Sequence, residues 1–441
     1  MSAPDPPAGL PPFAEALRLW ARIGLLSFGG PAGQIALMHR ELVEQRRWVS
    51  ERRFLHALNF CTLLPGPEAM QLATYLGWLL HGVKGGLAAG ILFIAPGAAV
   101  MLALSFLYVE LGAWPPAAAL FQGLAAAVVV LVLQALLRLS RRALNGMPAR
   151  AVALLAFAAL TLFGLPFPLV VLAALAAGFL LHRHFAAAAP AAGAGGASVI
   201  DSTLAADPSR WVRLAPAARR AGLVCLALWV WPTALLLAEG GLFADIAWLF
   251  SKLAVVTFGG AYAVLAYVAQ EAVEGYGWLS AEQMLAGLGL AETTPGPLIL
   301  VLQFVGFLAG YAAGGTWAGV AAGLLTLWVT FLPCFAWIFL GAPHVERLHD
   351  APRLSGALAA VTAAVVGVVA NLALWFALRL FFAEVGPSAL ALGLPVVESL
   401  RWQVLPLLAL SALLLFGLGA GVGATLGGAA LGGLLLFAAG G

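Results

Sequence analysis

Charge is what this chain has least of. Only 9% of its 441 residues are Asp, Glu, Lys or Arg, while 63% are hydrophobic, and the mean hydropathy is +1.00. A soluble globular chain carries about a quarter charged residues, so two or three soluble domains built from this sequence would lack a solvated surface. An ordinary cytosolic enzyme, a disordered chain and a basic nucleic-acid binder are excluded together. Cysteine is scarce as well. Cys61, Cys225 and Cys334 are far apart in apolar surroundings and read as small buried hydrophobes, with no disulfide or zinc spacing. Residues 1–12 contain no Lys or Arg, so the positive start of a cleaved signal peptide is missing. No Gly-rich loop leads into Lys-Ser/Thr, so ATP is not expected to drive the chain directly. Neither His39 nor His56 has a histidine four residues on, and His182-Arg183-His184 reads as a solvated helix end. No metal, haem, flavin or other cofactor is expected, and no enzyme active site.

What is present is long apolar sequence interrupted by glycine (51) and proline (26). That composition predicts an all-α polytopic membrane protein with broken helices, partnered by the lipid bilayer.

The chain is also a repeat. Phe28-Gly29-Gly30 recurs as Phe258-Gly259-Gly260, an offset of 230. The same offset pairs Glu41 with Glu271, Glu44 with Glu274, Trp48 with Trp278, Ser50 with Ser280, and Pro65-Gly66-Pro67 with Pro295-Gly296-Pro297. It also pairs Arg22 with Lys252 and Ser27 with Thr257. The division is 1–185 for the first half, 186–240 for a linker plus one unpaired apolar helix at 223–237, and 241–441 for the second half. In the first half four segments, 13–28, 32–45, 50–63 and 67–80, are too short for a ~30 Å hydrocarbon core at ~1.5 Å per residue. Longer ones follow at 87–111, 117–137, 149–163 and 167–181.

Seventeen of the 22 basic residues lie at or before Arg220. Positive residues concentrate in cytoplasmic loops, which puts Arg46, Arg47, Arg52, Arg53, Lys84, the 138–150 loop and the linker on the cytoplasmic side. The short pairs then leave and return to one side, with Phe28-Gly29-Gly30-Pro31 and Pro65-Gly66-Pro67 as re-entrant tips near mid-membrane. Tilted spanning segments are the alternative. Either way one extra helix makes the second half an inverted-topology copy of the first.

Proline after glycine opens a helix, and a helix start carries about half a positive charge and free N–H groups. Four such starts would suit a dianionic oxyanion, so Gly29, Gly30, Pro31, Gly66, Pro67, Gly259, Gly260, Gly296 and Pro297 are candidate binding positions. Simple kinks for helix packing are the competing explanation. Nearby polar groups that could donate are Ser27, Gln34, Asn59, Thr62, Gln71, Thr257, Thr293, Thr294 and Gln303, unless they only bridge helices. Arg22 and Lys252 sit six residues before each Phe-Gly-Gly and are read as anion-attracting, or in the case of Arg22 as a cytoplasmic anchor. Intramembrane acids are functional candidates by default. Glu68 follows Pro67, and Glu292 precedes Pro295 by three; each half brings one acid to its Pro-Gly-Pro tip as a candidate proton carrier or, for Glu68, a helix-start carboxylate. Glu41 and Glu271 are further candidates, or lie at the membrane interface. Ser280 and Gln283 spell a capping box.

The set Phe28-Gly29-Gly30-Pro31…Gln34, Trp48…Phe54 and Leu64-Pro65-Gly66-Pro67…Gln71…Gly77, with Phe258-Gly259-Gly260 and Thr294-Pro295-Gly296-Pro297 as its second copy, resembles the chromate ion transporter family in its long, two-domain form. The resemblance covers nearly the whole chain. It implies efflux of chromate across a bacterial inner membrane, coupled to the membrane potential or the proton gradient. Sulfate, of the same shape and charge, is the natural competitor. The residues alone reach only an oxyanion. A sulfate permease, a passive anion channel and a homodimeric assembly stay open at this stage.

Overall fold

A computed structural model describes residues 9–112, 114–185, 198–207, 209–256, 258, 261–343, 352–386 and 392–440. Thr257, Gly259, Gly260 and the linker stretch 186–197 lie outside the described residues. The molecule is helical almost throughout. The first half comprises α1 (Phe13–Leu26), α2 (Gly30–His39), α3 (Glu51–Thr62), α4 (Glu68–Leu111), α5 (Pro115–Ala143), α6 (Met147–Thr161) and α7 (Phe167–Leu180). Then come α8 (Val199–Ala206) and α9 (Arg210–Glu239). The second half comprises α10 (Leu242–Val256), α11 (Ala261–Gln270), α12 (Ala281–Thr293), α13 (Val301–Gly341), α14 (Pro352–Phe381), α15 (Val404–Ala412) and α16 (Val422–Ala438). A two-residue antiparallel pair, Val385–Gly386 with Leu394–Pro395, is the sheet among the described residues. Among the described residues five helices are long and apolar enough to cross a membrane, which makes this an all-α multi-pass membrane protein.

The breaks fall where glycine and proline put them. α1 ends before Gly29 (φ +83°) and Gly30 (φ +73°), a left-handed stretch that restarts as α2 with Pro31 in its first turn. α3 ends before Gly66 (φ +122°), and Pro67 caps the next start. α1 has 14 residues, about 21 Å of helix, short of a hydrocarbon core. The Ser280–Gln283 capping box forms at the start of α12, with both hydrogen bonds made.

α4 is not one rod. Its backbone leaves the helical region at His81 and Gly82, and its two limbs fold back on each other. Gly77 faces the Gly85 carbonyl so closely that neither position has room for a Cβ. α13 repeats the device at Gly314-Gly315, where Gly310 meets Ala318. The 67–80 segment is therefore a short arm leading into a tight helical hairpin.

The ends of the short segments meet on one face. His81 bonds the Pro11 carbonyl (2.8 Å) before α1. The Val199 and Ile200 N–H groups of α8 donate to the carbonyls of Arg47 and Trp48, before α3. Arg210 donates to the Leu80 carbonyl (2.8 Å) at the end of the short arm of α4. The start of α1, the turn between α2 and α3, and the 81–82 reversal thus share a face with the basic linker. The tips at 27–31 and 63–67 lie at the opposite ends of α1, α3 and the short arm of α4.

α8 was not legible in the linker, and α9 begins at Arg210, thirteen residues before the expected 223. Both departures have one cause. Asp201 on α8 pairs with Arg53 and bonds Ser198 (2.7 Å), and Arg210 caps α4, so tertiary partners extend order into an Ala- and Arg-rich stretch. Burial pushes the Asp201 carboxyl up, but hydrogen bonds from Ser50, Ser198 and Arg53 outweigh it and hold it below the usual carboxylate range.

The halves are exchanged at their packing surfaces. The α6–α7 hairpin of the first half packs on α14 of the second, and the α15–α16 hairpin packs on α5 of the first. α4 and α13 cross at the centre, and α9 lies along α13 and α10. Gly123 of α5 meets the Ala429 backbone, and Gly178 of α7 meets Gly356 and Ala357. Small residues let backbones approach where no hydrophobic effect drives helices together in lipid.

Candidate functional site

Each Pro-Gly-Pro tip seats on the other half. Pro295 and Gly296 press on Gly97 of α4, which follows Pro96; Gly66 presses on Cys334 of α13, which follows Pro333. Pro96 and Pro333 differ by 237, an offset that also aligns α5 with α14. A Cβ on Gly66 would lie 2.7 Å from Cys334 Sγ. The first Phe-Gly-Gly tip and the second Pro-Gly-Pro tip are joined directly. Gly296 N–H donates to the Ser27 carbonyl (2.7 Å), and buried Gln34 donates Nε2 to the Gly296 carbonyl (2.6 Å) and the Ser27 carbonyl (3.3 Å). Gln71 holds its own tip through the Pro65 carbonyl (2.7 Å).

Beside these tips lies a cavity of about 770 Å³, roughly fifty times the ~15 Å³ that admits one water. It is lined by Gly29, Gly30, Pro31 and Ala32 at the start of α2, by Asn59, Thr62 and Leu63 at the end of α3, and by Glu68 at the start of α4. The second half contributes Phe258, Ala261 and Tyr262 at the start of α11, and Glu292 on α12. α5 adds Gln134, Arg138 and Arg142, and α14 adds Ser355 and Thr362. Of the four helix starts expected at the tips, three reach it: α2, α4 and α11. The fourth, after Pro297, does not; Leu298 is buried at 4% exposure outside the lining.

Within the cavity the Tyr262 hydroxyl donates to Glu292 (2.6 Å). Arg138 interacts electrostatically with both Glu292 and Tyr262, and its guanidinium donates to Gln134 (2.9 Å). Glu68 lines the same cavity from the start of α4. Both acids expected at the Pro-Gly-Pro tips thus line one cavity.

Other expected residues lie elsewhere. Ser27, Gln34, Pro65, Gly66, Pro67, Gln71, Thr294, Pro295, Gly296, Pro297 and Gln303 are outside the lining. The Ser27 hydroxyl bonds the Ile23 carbonyl (2.6 Å), and that of Thr294 bonds the Ala291 carbonyl (2.8 Å). Gln303 is 1% exposed. Arg22 lies 3.8 Å from Glu41, itself buried and paired with Arg46. Lys252 sits over the rings of Tyr267 (5.1 Å) and Trp248 (6.0 Å), and Tyr267 hydrogen-bonds Glu271. Neither of the two repeat-related cations lines the cavity.

Sequence reasoning passed over Gln134, Arg138, Arg142 and Tyr262. A signal existed: 134, 138 and 142 are spaced by four, so they share one face of a mostly apolar helix. Reading Arg138 as part of a basic loop hid that face.

The sequence profile described as chromate transporter matches residues 14–179 and 244–434, which are the two halves found here. The chain is 36% identical over 399 residues to a chromate transport protein of Pseudomonas aeruginosa, spanning 87% of this chain and 88% of that one. It is 28% identical over 373 residues to a chromate transport protein of Cupriavidus metallidurans, spanning 83% and 82%. An uncharacterized transporter of Methanocaldococcus jannaschii is 24% identical over 358 residues, spanning 81% and 82%. No solved structure matches the chain. Members of the matched family are transporters rather than enzymes, and the chain belongs to the chromate transporter family.

Proposed function

We propose that this protein exports chromate from the cytoplasm by alternating access, with the oxyanion held where the starts of α2, α4 and α11 meet. The observation that carries the reading is the cavity itself. It is wide enough for a hydrated anion, it runs from the tips toward the basic end of α5, and three helix starts bring roughly +1.5 of partial charge to it. The names of the Pseudomonas and Cupriavidus relatives supply the substrate. The basic residues at the end of α5 support a cytoplasmic mouth for the cavity, and in this reading the second half is an inverted copy whose α11 and α12 close the periplasmic side.

The driving force follows from charge. Moving one elementary charge through 100 mV is worth ~2.3 kcal/mol. A dianion leaving a negative interior thus gains about 4.6 kcal/mol, enough for a gradient above a thousandfold without any proton. Glu68 and Glu292 fit this as gates. An ionised carboxylate repels the dianion, so a carboxylate neutralised for binding carries its proton in the same direction as the anion. Proton movement then subtracts from the electrical drive, which makes the membrane potential the principal energy source. Arg22 and Lys252 enter only as long-range charges.

The test is flux of radiolabelled chromate in proteoliposomes, with potential and pH gradient imposed separately. Chromate should move with the potential and be slowed by sulfate. Equal flux at zero and at high potential would overturn the energetic reading. A channel would accumulate the dianion to the same potential-set limit, so saturation of flux with chromate concentration and counterflow of labelled chromate against unlabelled chromate are what would rule out a passive channel, and sulfate flux exceeding chromate flux would change the substrate.

A further inference from the structure

We propose that Arg138 is the side chain that receives the oxyanion in the cavity, with Gln134 as its support; the inference deepens the transport reading and rests on it for the substrate. Several arginines among the described residues are held by carboxylates. Arg46 pairs with Glu41, Arg53 with Asp201, Arg213 with Asp207, Arg379 with Glu274 and Arg401 with Glu282. Arg138 has no carboxylate within ion-pair distance among the described residues. Its hydrogen bond goes to Gln134 (2.9 Å), one turn back on the same face, and both side chains line the cavity.

The repeat shows that the fold does not ask for this charge. At the offset of 237, Arg138 of α5 matches Trp375 of α14, and Gln134 matches Asn371. In α14 these are packing positions: Trp375 is 1% exposed, and Asn371, 2% exposed, bonds Thr161 (3.0 Å) across to α6. In α5 the same two positions carry a guanidinium and an amide into open space. A guanidinium presents a planar fork of donors that matches two oxygens of a tetrahedral oxyanion. Opposite it, Glu292 is already bound by Tyr262 (2.6 Å), so the anion and Glu292 compete for one cation.

The test measures chromate flux against concentration in proteoliposomes, and separately the stabilisation of purified protein by chromate and by sulfate. Arg138→Gln should raise KM about tenfold or more with kcat changed far less, and should abolish stabilisation by either anion. Arg138→Lys should fall between, because the charge stays and the fork is lost. Gln134→Leu should raise KM by a smaller factor. A KM for Arg138→Gln within twofold of the parent, or unchanged anion stabilisation, overturns the assignment. A parent protein that is stabilised through Arg138 but moves no chromate would sink the transport reading and leave the site standing.

A different observation carries a second inference. On the closed side, Arg379 of α14 pairs with Glu274 in the π-helical segment that continues α11, and Trp375 donates to the same carboxylate (2.9 Å). The repeat equivalents are Arg142 and Glu44. They are apart: Arg142 lines the cavity, and Glu44 bonds His39 (3.0 Å). α12 packs along α5 and α11 along α14, whereas the repeat-related packings of α3 on α14 and α2 on α5 are not formed to a like extent and flank the cavity instead. We infer that Arg142 and Glu44 pair when the cytoplasmic side closes, while Arg379 and Glu274 part. A short bifunctional thiol reagent, applied to Glu44→Cys/Arg142→Cys in a background without Cys61, Cys225 and Cys334, should bridge the pair only when chromate and potential are supplied, and should then stop flux. Failure to bridge under turnover, or a bridge that leaves flux unchanged, overturns the latch.

Discussion

Gly97→Ala is the sharpest probe of how the two halves are held together. A Cβ at Gly97 would overlap the Pro295 carbonyl oxygen and lie 2.5 Å from Leu300 Cδ1. The obstruction on one side is backbone, so relief requires the tip itself to move by well over an ångström. That movement strains two hydrogen bonds, Gly296 N–H to the Ser27 carbonyl at 2.7 Å and Gln34 to the Gly296 carbonyl at 2.6 Å. Overpacking costs roughly 1–3 kcal/mol, and each hydrogen bond contributes about 0.5–1.5 kcal/mol net. The expected loss is therefore about 2–6 kcal/mol. Thermal unfolding of the detergent-solubilised protein reads it, with chromate flux alongside. Gly427→Ala is the matched control: nothing lies within 4 Å of its Cβ, and alanine in a helix interior is favoured by about 1 kcal/mol. A Gly97→Ala protein that melts with the parent would refute the seating of the second tip on α4, and with it the exchange between halves.

Gln34→Leu should cost about 1–3 kcal/mol in the same melting assay, because the Gly296 carbonyl loses its Gln34 donor while Ser27 keeps its bond from Gly296. Asn371→Leu removes a single interhelical bond to Thr161 and should cost only ~0.5–2 kcal/mol, the range for such bonds in membranes. Asp201 titrates below its ordinary value of 3.8, so its hold on α8 is present above that value and lost only as pH falls through the lowered one. Proteolysis of the 198–207 segment should thus be flat from about pH 5 to 8, and Asp201→Asn should accelerate it at every pH.

Much of the frame was legible because membrane folding writes it in few letters. The fixed offset of 230, the glycine-proline breaks and the uneven basic residues pointed to two halves, short broken segments and one unpaired helix. The site was less legible, for a physical reason. Gly, Pro and Gln at the tips look like ligands because they are odd in apolar sequence, yet Gln34, Gln71, Gly66 and Gly296 are consumed in seating the tips. Periodicity says which residues share a helix face, but not which half a tip will press against. Phe28-Gly29-Gly30-Pro31 and Glu68 were visible from spacing, whereas Tyr262 becomes a candidate only once α11 and α12 are placed side by side.

The informative positions are those where the repeat is broken. A symmetric pair of halves needs the same residue at both copies for anything the fold requires. Glu68 against Leu298, Arg138 against Trp375 and His39 against Ala269 depart from that rule, and each departure puts an ionisable group on the first-half copy only. Two of the three line the cavity; the third holds Glu44 away from Arg142. Gly97 against Cys334 is a departure of another kind. There the tips differ in how tightly they seat, since a thiol fills the space at one and a bare backbone at the other. A transporter whose halves were identical would bind its substrate equally well from both sides; the gradients set the direction of transport in either case, and asymmetry sets the affinity at each face. Charges that differ between the copies make the two faces chemically different, so the cytoplasm-facing state can bind the dianion more tightly than the state that must release it.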